Sequence, residues 1–122
     1  MGSTKNSEKA IKDKFAYVGK IAYDYSKEIK SYNPIIVLTK ERENHILKRH
    51  PEMKQYIPYL MDYVNNPDFI KLDKTYNDTR NLIKILDEHS YLYITVKFSS
   101  NVLKKTSIIS ARYMTIKNKK KN

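Results

Sequence analysis

The spacing of hydrophobic residues changes at residues 65–68, and this change restricts the fold more than any other sequence feature. Before it, hydrophobic residues recur about every 3.6 positions, the spacing of a helix face: Met53, Ile57, Leu60, Met61 and Val64. After it, hydrophobic and polar residues alternate, most regularly over 91–98, which predicts a half-buried antiparallel strand. Helices and strands that are segregated along a chain predict an α+β fold.

Capping and turn signals place the element boundaries. Thr39 can cap a helix over 40–49, and His50-Pro51 ends it because the residue before a proline is pushed away from helical geometry. A second helix is predicted over 51–64, which Pro58 either kinks or starts afresh. A short helix or turn is predicted at 22–32, and strands are predicted at 15–21, 35–38, 69–72, 80–86, 91–98 and 105–116. We therefore expect N-terminal helices on one face of a C-terminal antiparallel sheet of about four strands.

The charge of the chain favours a polyanionic partner. Its 122 residues fit one domain, predicted at 14–116, between a disordered polar N-terminus at 1–13 and a basic disordered tail at 117–122. The formal net charge of +11 is typical of proteins that bind nucleic acid. Codon bias towards lysine explains the same excess equally well, because only four of the 24 Lys and Arg residues are Arg.

Several classes of protein are excluded by composition. The chain has no Cys, which excludes disulfides, thiolate zinc sites and cysteine nucleophiles. Neither a Gly-x-Gly-x-x-Gly motif nor a Gly-x-x-x-x-Gly-Lys motif occurs, so nucleotide-dependent chemistry is not expected. We expect no cofactor and no metal site, since the His residues at 45 and 50 lack the spacing of a zinc-binding helix. No secretory signal or membrane-spanning segment is apparent, so a cytoplasmic location without membrane contact is expected.

The first predicted helix contains the most informative cluster of side chains. Arg42, His45 and Arg49 stand at positions i, i+3 and i+7, so they share one helix face. Guanidinium groups bind phosphate oxygens in pairs, and an imidazole transfers protons near neutral pH. His50 lies about 140° around the helix from His45, and it reaches the same site only if the helix ends there. A solvated basic face for the two Arg, and a buried helix-terminating role for His50, are the structural alternatives.

The predicted sheet offers further candidates. Lys84 lies within an otherwise apolar strand, and Lys97 lies on the same strand face as Tyr91 and Tyr93. The tyrosines can stack on bases, although tyrosine is also an ordinary strand residue, and a strand lysine is a common protection against aggregation. On the last strand, simple alternation predicts one face with Thr106, Ile108, Ser110 and Arg112 and the other with Ser107, Ile109, Ala111 and Tyr113.

The order of these motifs resembles the phage- and mobile-element-associated nuclease domains of the Barnase–EndoU–colicin–RelE-like superfamily. The resemblance extends over about 15–116, and its most specific parts are the string His-Ile-x-x-Arg-His-Pro-Glu at 45–52 and Asn-Pro-Asp at 66–68. Further matching segments are 18–21, 36–39, Arg42 and 108–110. Ser110 stands where the family often has threonine.

This resemblance implies metal-independent RNA cleavage on helices followed by a four-stranded antiparallel sheet. By motif, His45 and His50 are the expected acid and base, Arg42 and Arg49 bind phosphate, and the sheet residues Lys84, Lys97, Ser110 and Arg112 complete the site. The implied partners are RNA, with tRNA as one candidate, and a cognate inhibitor protein. A non-catalytic RNA- or DNA-binding module and a phage or host protein-interaction module are the alternatives.

Overall fold

A computed structural model describes residues 14–116 of the chain, and the two terminal segments predicted to be disordered lie outside the described residues. The fold is α+β, as predicted. Its elements are β1 (Phe15–Lys20), β2 (Ile35–Thr39), α1 (Lys40–Arg49), two 3₁₀ turns (Pro51–Gln55 and Ile57–Tyr59), α2 (Leu60–Val64), β3 (Phe69–Leu72), β4 (Thr79–Ile85), β5 (Ser90–Lys97) and β6 (Thr106–Thr115).

The sheet differs from the prediction in its size and pairing. It has six strands in the order β1-β2-β6-β5-β4-β3, rather than about four. It is mixed, because β2 pairs parallel with β6 while every other pair is antiparallel. Two strands precede the helices, so the prediction of N-terminal helices before a C-terminal sheet is wrong. The strands at 15–20 and 35–39 join the later meander through β6.

One face of the sheet is covered by the helical segment, and the core lies between them. Leu92, Ile94 and Val96 on β5 are fully buried, and they pack with Ile46 of α1 and Leu60 of α2. The alternation predicted for β5 is therefore confirmed. We call the opposite side, which carries Tyr91, Tyr93, Thr95 and Lys97, the open face. Among the described residues, no helix is long and apolar enough to cross a membrane.

The segment predicted as one helix over 51–64 is broken into short pieces. Pro51 and Pro58 each occupy the start of a 3₁₀ turn, and only the last five residues, Leu60–Val64, form an α-helix. A proline has no N–H to donate to the preceding turn, so two prolines within this length prevent a continuous helix. The apolar spacing is still used, because Met53, Ile57, Leu60 and Val64 are all buried.

The segment between β1 and β2 is a turn-rich connection rather than a helix. The Tyr25 carbonyl accepts from the N–H groups of Glu28 and Ile29, both at 2.8 Å. The buried Tyr25 ring packs against Tyr32 and Phe98, with the Tyr25–Phe98 ring centres 5.0 Å apart. Its hydroxyl donates to the Val64 carbonyl, and burial raises the pKa of Tyr25. Aromatic packing therefore fixes this connection in place of regular structure.

Arg80 has a structural role at the edge of the core. It is 7% exposed, and its guanidinium lies 3.2 Å from the Glu28 carboxylate. It also donates to the carbonyls of Asn77 and Glu28 at 2.8 and 2.6 Å. Each of the three guanidinium nitrogens of Arg80 donates to a group of the fold, so Arg80 has a structural role.

The capping prediction for α1 is confirmed, and it yields a test of stability. Thr39 is extended at the helix start, and its side-chain oxygen accepts from the Arg42 N–H at 3.1 Å. Thr39→Ala is expected to lower the free energy of unfolding by about 1 kcal/mol, because one N–H of the first turn loses its acceptor. Urea denaturation measures this, with Thr39→Ser as the control that keeps the hydroxyl. Equal stability of the alanine and serine variants would contradict the capping role.

Candidate active site

A cleft opens where β2 and β6 separate. The two strands pair only at Ile36–Thr106 and Val37–Ser107, after which Thr39 ends β2 and α1 begins. Beyond Ser107 the outer edge of β6 therefore faces α1 instead of another strand. The space between them is a cleft of about 490 Å³, which we call the Arg/His cleft. It is lined by Arg42, His45, Ile46, Arg49, His50, Ile109, Ser110 and Arg112.

The helix supplies three of the polar lining residues through its spacing. Arg42, His45 and Arg49 line the cleft together, as expected for residues at i, i+3 and i+7. Ile46 lies beside them and is 1% exposed, so it anchors α1 on the core and sets which face borders the cleft. Arg42, His45 and Arg49 themselves are exposed, so their polar groups are accessible to a ligand.

His50 reaches the cleft because α1 ends at this residue. Its backbone leaves helical geometry, with φ −136° and ψ 70°, while its N–H still donates to the Ile46 carbonyl at 2.7 Å. Pro51 follows, so the helix cannot continue. The Nδ1 atom of His50 lies 3.7 Å from Glu52 Oε2, which is an ion-pair distance when the imidazole is protonated. Glu52 therefore favours one orientation of the His50 ring.

A β-bulge in β6 determines which of its side chains reach the cleft. Thr95 pairs with Ser110 and Val96 pairs with Ile108, so Ile109 is an extra residue on β6. The predicted alternation is therefore wrong beyond this point: Thr106, Ile108, Ala111 and Tyr113 share the core side, whereas Ser107, Ser110 and Arg112 share the open face. Bulges redirect side chains in this way and are frequent next to active sites. Without the extra residue, Ser110 and Arg112 would point into the core.

Arg112 links the cleft to the open face. The two residues Arg112 and Tyr93 pair across β6 and β5, and the Arg112 guanidinium carbon lies 5.1 Å from the centre of the Tyr93 ring. A cation over an aromatic ring is attracted to its face, which holds the guanidinium in place beside the cleft. Tyr93 does not line the cleft itself, but it supports a residue that does.

The remaining sequence candidates lie elsewhere. Lys84 stands on the core side of β4, where its Nζ donates to the Asn66 carbonyl at 2.9 Å and lies 3.7 Å from Asp68. Lys97 lines a different cavity near the end of β5, and Tyr91 is on the open face opposite Met114. The structure thus brings together six of the ten candidates, namely Arg42, His45, Arg49, His50, Ser110 and Arg112. Lys84 instead joins β4 to the loop at 66–68.

Two features of the cleft were missed by the sequence analysis. The bulge at Ile109 has a weak signal, since the adjacent Ile108 and Ile109 interrupt the alternation of β6. Glu52 stands out in the sequence only as part of the His-Pro-Glu string, although it is the acid that pairs with His50. Residues 14–116 contain no group of three or more His, Asp or Glu side chains that could hold a metal ion.

Comparison with protein-family models, curated proteins and solved structures found no match to this chain. The nuclease resemblance of its motifs therefore stays a prediction, and what supports a function is the chemistry of the Arg/His cleft.

Proposed function

We propose that this protein is a metal-independent endoribonuclease of the toxin or phage-effector type, with the Arg/His cleft as its active site. The observation that carries the proposal is that two imidazoles, three guanidiniums and one hydroxyl line a single cleft. Within the described chain, none of the residues that line the cleft is an acid, so the arrangement favours a phosphate group. Anion binding alone requires the guanidiniums but does not require two groups that transfer protons.

In the proposed reaction, the ribose 2′-OH attacks the adjacent phosphorus. One His takes the 2′-OH proton as the O2′–P bond forms, and the other His gives a proton to O5′ as the P–O5′ bond breaks. The products are a 2′,3′-cyclic phosphate and a free 5′-hydroxyl, and no external reagent is consumed. His45 and His50 are the two residues that share these roles.

The three guanidiniums are suited to the charge that develops on the phosphate. Arg42 and Arg49 approach from α1, and Arg112 approaches from β6, so cations lie on both walls of the cleft. Fixed cations around the pentavalent phosphorus stabilise its extra negative charge. Ser110 adds a hydroxyl donor on the β6 side. Glu52, 3.7 Å from His50 Nδ1, orients the ring of His50.

A non-catalytic RNA-binding module is the second candidate function. It is favoured by the Arg112–Tyr93 pair on the open face, since tyrosine and arginine planes are the groups on which unpaired bases stack. A cytoplasmic location, tRNA as the target, a cognate inhibitor protein and a protein-interaction role are further predictions from the sequence that stay open to experiment.

Incubation of the purified protein with total RNA and with tRNA in the presence of EDTA tests the proposal. We expect cleavage, with fragments that carry 2′,3′-cyclic phosphate and 5′-hydroxyl ends. A His45→Ala/His50→Ala double variant is the control for a contaminating ribonuclease. Intact RNA under all conditions, together with salt-dependent RNA binding, would favour the binding module, and neither cleavage nor binding would favour a protein-interaction role.

A further inference from the structure

A second basic cavity lies at the other end of the open face. It has a volume of about 300 Å³ and is formed where β5 ends and the loop to β6 begins. Three lysines, Lys97, Lys104 and Lys105, line it together with serine hydroxyls. Among the described residues that line it, the one acid is Asp78, whose carboxylate accepts from the Thr79 hydroxyl at 2.9 Å. We call this cavity the lysine pocket.

The loop that carries Lys104 and Lys105 is held by a buried side chain. Asn33 is 9% exposed, and its amide nitrogen donates to the carbonyls of Val102 and Lys104 at 3.2 and 3.0 Å. The loop also closes on itself, with the Lys104 N–H donating to the Asn101 carbonyl at 3.0 Å. A loop that is ordered before binding loses less conformational entropy when a ligand arrives. The lysines are therefore presented on a preformed support.

The lysine pocket and the Arg/His cleft are joined by one row of cross-strand pairs. Ser110 of the cleft pairs with Thr95, and Ser107 of the lysine pocket pairs with Lys97. Thr95 and Lys97 are two positions apart on β5, which is about 7 Å at about 3.4 Å of rise per residue. Adjacent phosphates of an extended single strand are separated by a similar distance, so the two sites suit neighbouring phosphates of one strand. In the described part of the chain, the paired residues of this row from Tyr93–Arg112 to Lys97–Ser107 include no acid.

We propose that the lysine pocket is a second phosphate-binding subsite for the same RNA strand that occupies the Arg/His cleft, and that the strand is single-stranded RNA lying across β5 and β6 on the open face. This proposal rests on the proposed function, because it takes RNA to be the ligand of the cleft. A strand must be at least about three nucleotides long to reach both sites. The lysines contribute affinity for longer strands, whereas the cleft performs the chemistry.

Binding of 2′-O-methyl RNA, which lacks a free attacking hydroxyl, tests the subsite independently of cleavage. Fluorescence anisotropy compares the wild type with Lys104→Ala/Lys105→Ala, using a strand of about twelve nucleotides and a dinucleotide. We expect the variant to bind the long strand roughly tenfold more weakly. The slope of log K against log salt concentration should become less steep by about 1.4, because two phosphate contacts are lost. Dinucleotide affinity is expected to stay unchanged.

The matched control is Lys71→Ala/Lys74→Ala, which removes the same charge from exposed positions on and after β3. Equal weakening by the two double variants, an unchanged affinity of the Lys104/Lys105 variant, or equal loss with the dinucleotide would overturn the subsite. If the wild type fails to cleave RNA while the expected binding pattern appears, the ribonuclease proposal fails and the subsite stands. If the wild type cleaves RNA and the Lys104/Lys105 variant binds the long strand as tightly as the wild type, the subsite fails and the ribonuclease proposal stands.

Discussion

Replacement of His45 or of His50 by alanine is expected to slow RNA cleavage by about 10²–10⁴-fold, the usual contribution of a general acid or base. Both imidazoles line the Arg/His cleft, and neither belongs to the hydrophobic core. The loss should therefore appear in kcat, while the fold and the affinity for uncleavable RNA change little. Initial rates on a labelled RNA strand, with binding measured separately, provide the readout.

His89→Ala is the matched control for this experiment, since His89 is exposed in the hairpin between β4 and β5. It is expected to cleave at the wild-type rate. A His45→Ala variant as active as the wild type would show that proton transfer occurs elsewhere, although it would leave the ribonuclease activity standing. Loss of RNA binding by both single variants, at unchanged kcat, would instead reassign the imidazoles to substrate binding.

The largest effect on stability is expected for Phe98→Ala, at about 3–5 kcal/mol. Phe98 is 2% exposed, and its ring packs against Tyr25 and Tyr32 with centre-to-centre distances of 5.0 and 5.4 Å. Removal of the ring leaves a cavity beneath a connection that has no regular structure to support it. For a domain of about 100 residues, we expect Tm to fall by more than about 10 °C.

Urea and thermal denaturation measure this change, with Tyr76→Ala as the control. The Tyr76 side chain is 63% exposed, and its truncation is expected to change the free energy of unfolding by less than about 0.5 kcal/mol. A loss below about 1 kcal/mol for Phe98→Ala would contradict the view that this aromatic cluster fixes the connection between β1 and β2.

Much of this structure could be predicted from local sequence signals. Thr39 and Pro51 mark the two ends of α1 in the sequence, because the capping hydroxyl acts on the first turn and the proline pushes the residue before it out of helical geometry. The alternation of β5 was correctly read, since both of its neighbours pair with it and one of its faces is buried. The three helix residues of the cleft followed from helical periodicity alone.

Long-range pairing could not be predicted in the same way. The contact of β2 with β6 joins Ile36 to Thr106, and nothing local in either segment specifies a parallel partner so distant along the chain. The bulge at Ile109 depends on the register with β5, so simple alternation assigned Ser110 to the wrong side. Lys84 looked exceptional within an apolar strand, but the fold provides it with the Asn66 carbonyl and Asp68 as partners.

The position of β6 in the sheet also bears on when activity can arise during synthesis. β6 is the last strand in the described chain, yet it lies in the middle of the sheet, where it alone connects β1-β2 with β5-β4-β3. It also supplies one wall of the Arg/His cleft. A growing polypeptide that has not yet extended past residue 105 therefore has neither a joined sheet nor a complete cleft. The cleft on which the proposed ribonuclease activity depends can therefore form only after β6 has been synthesised.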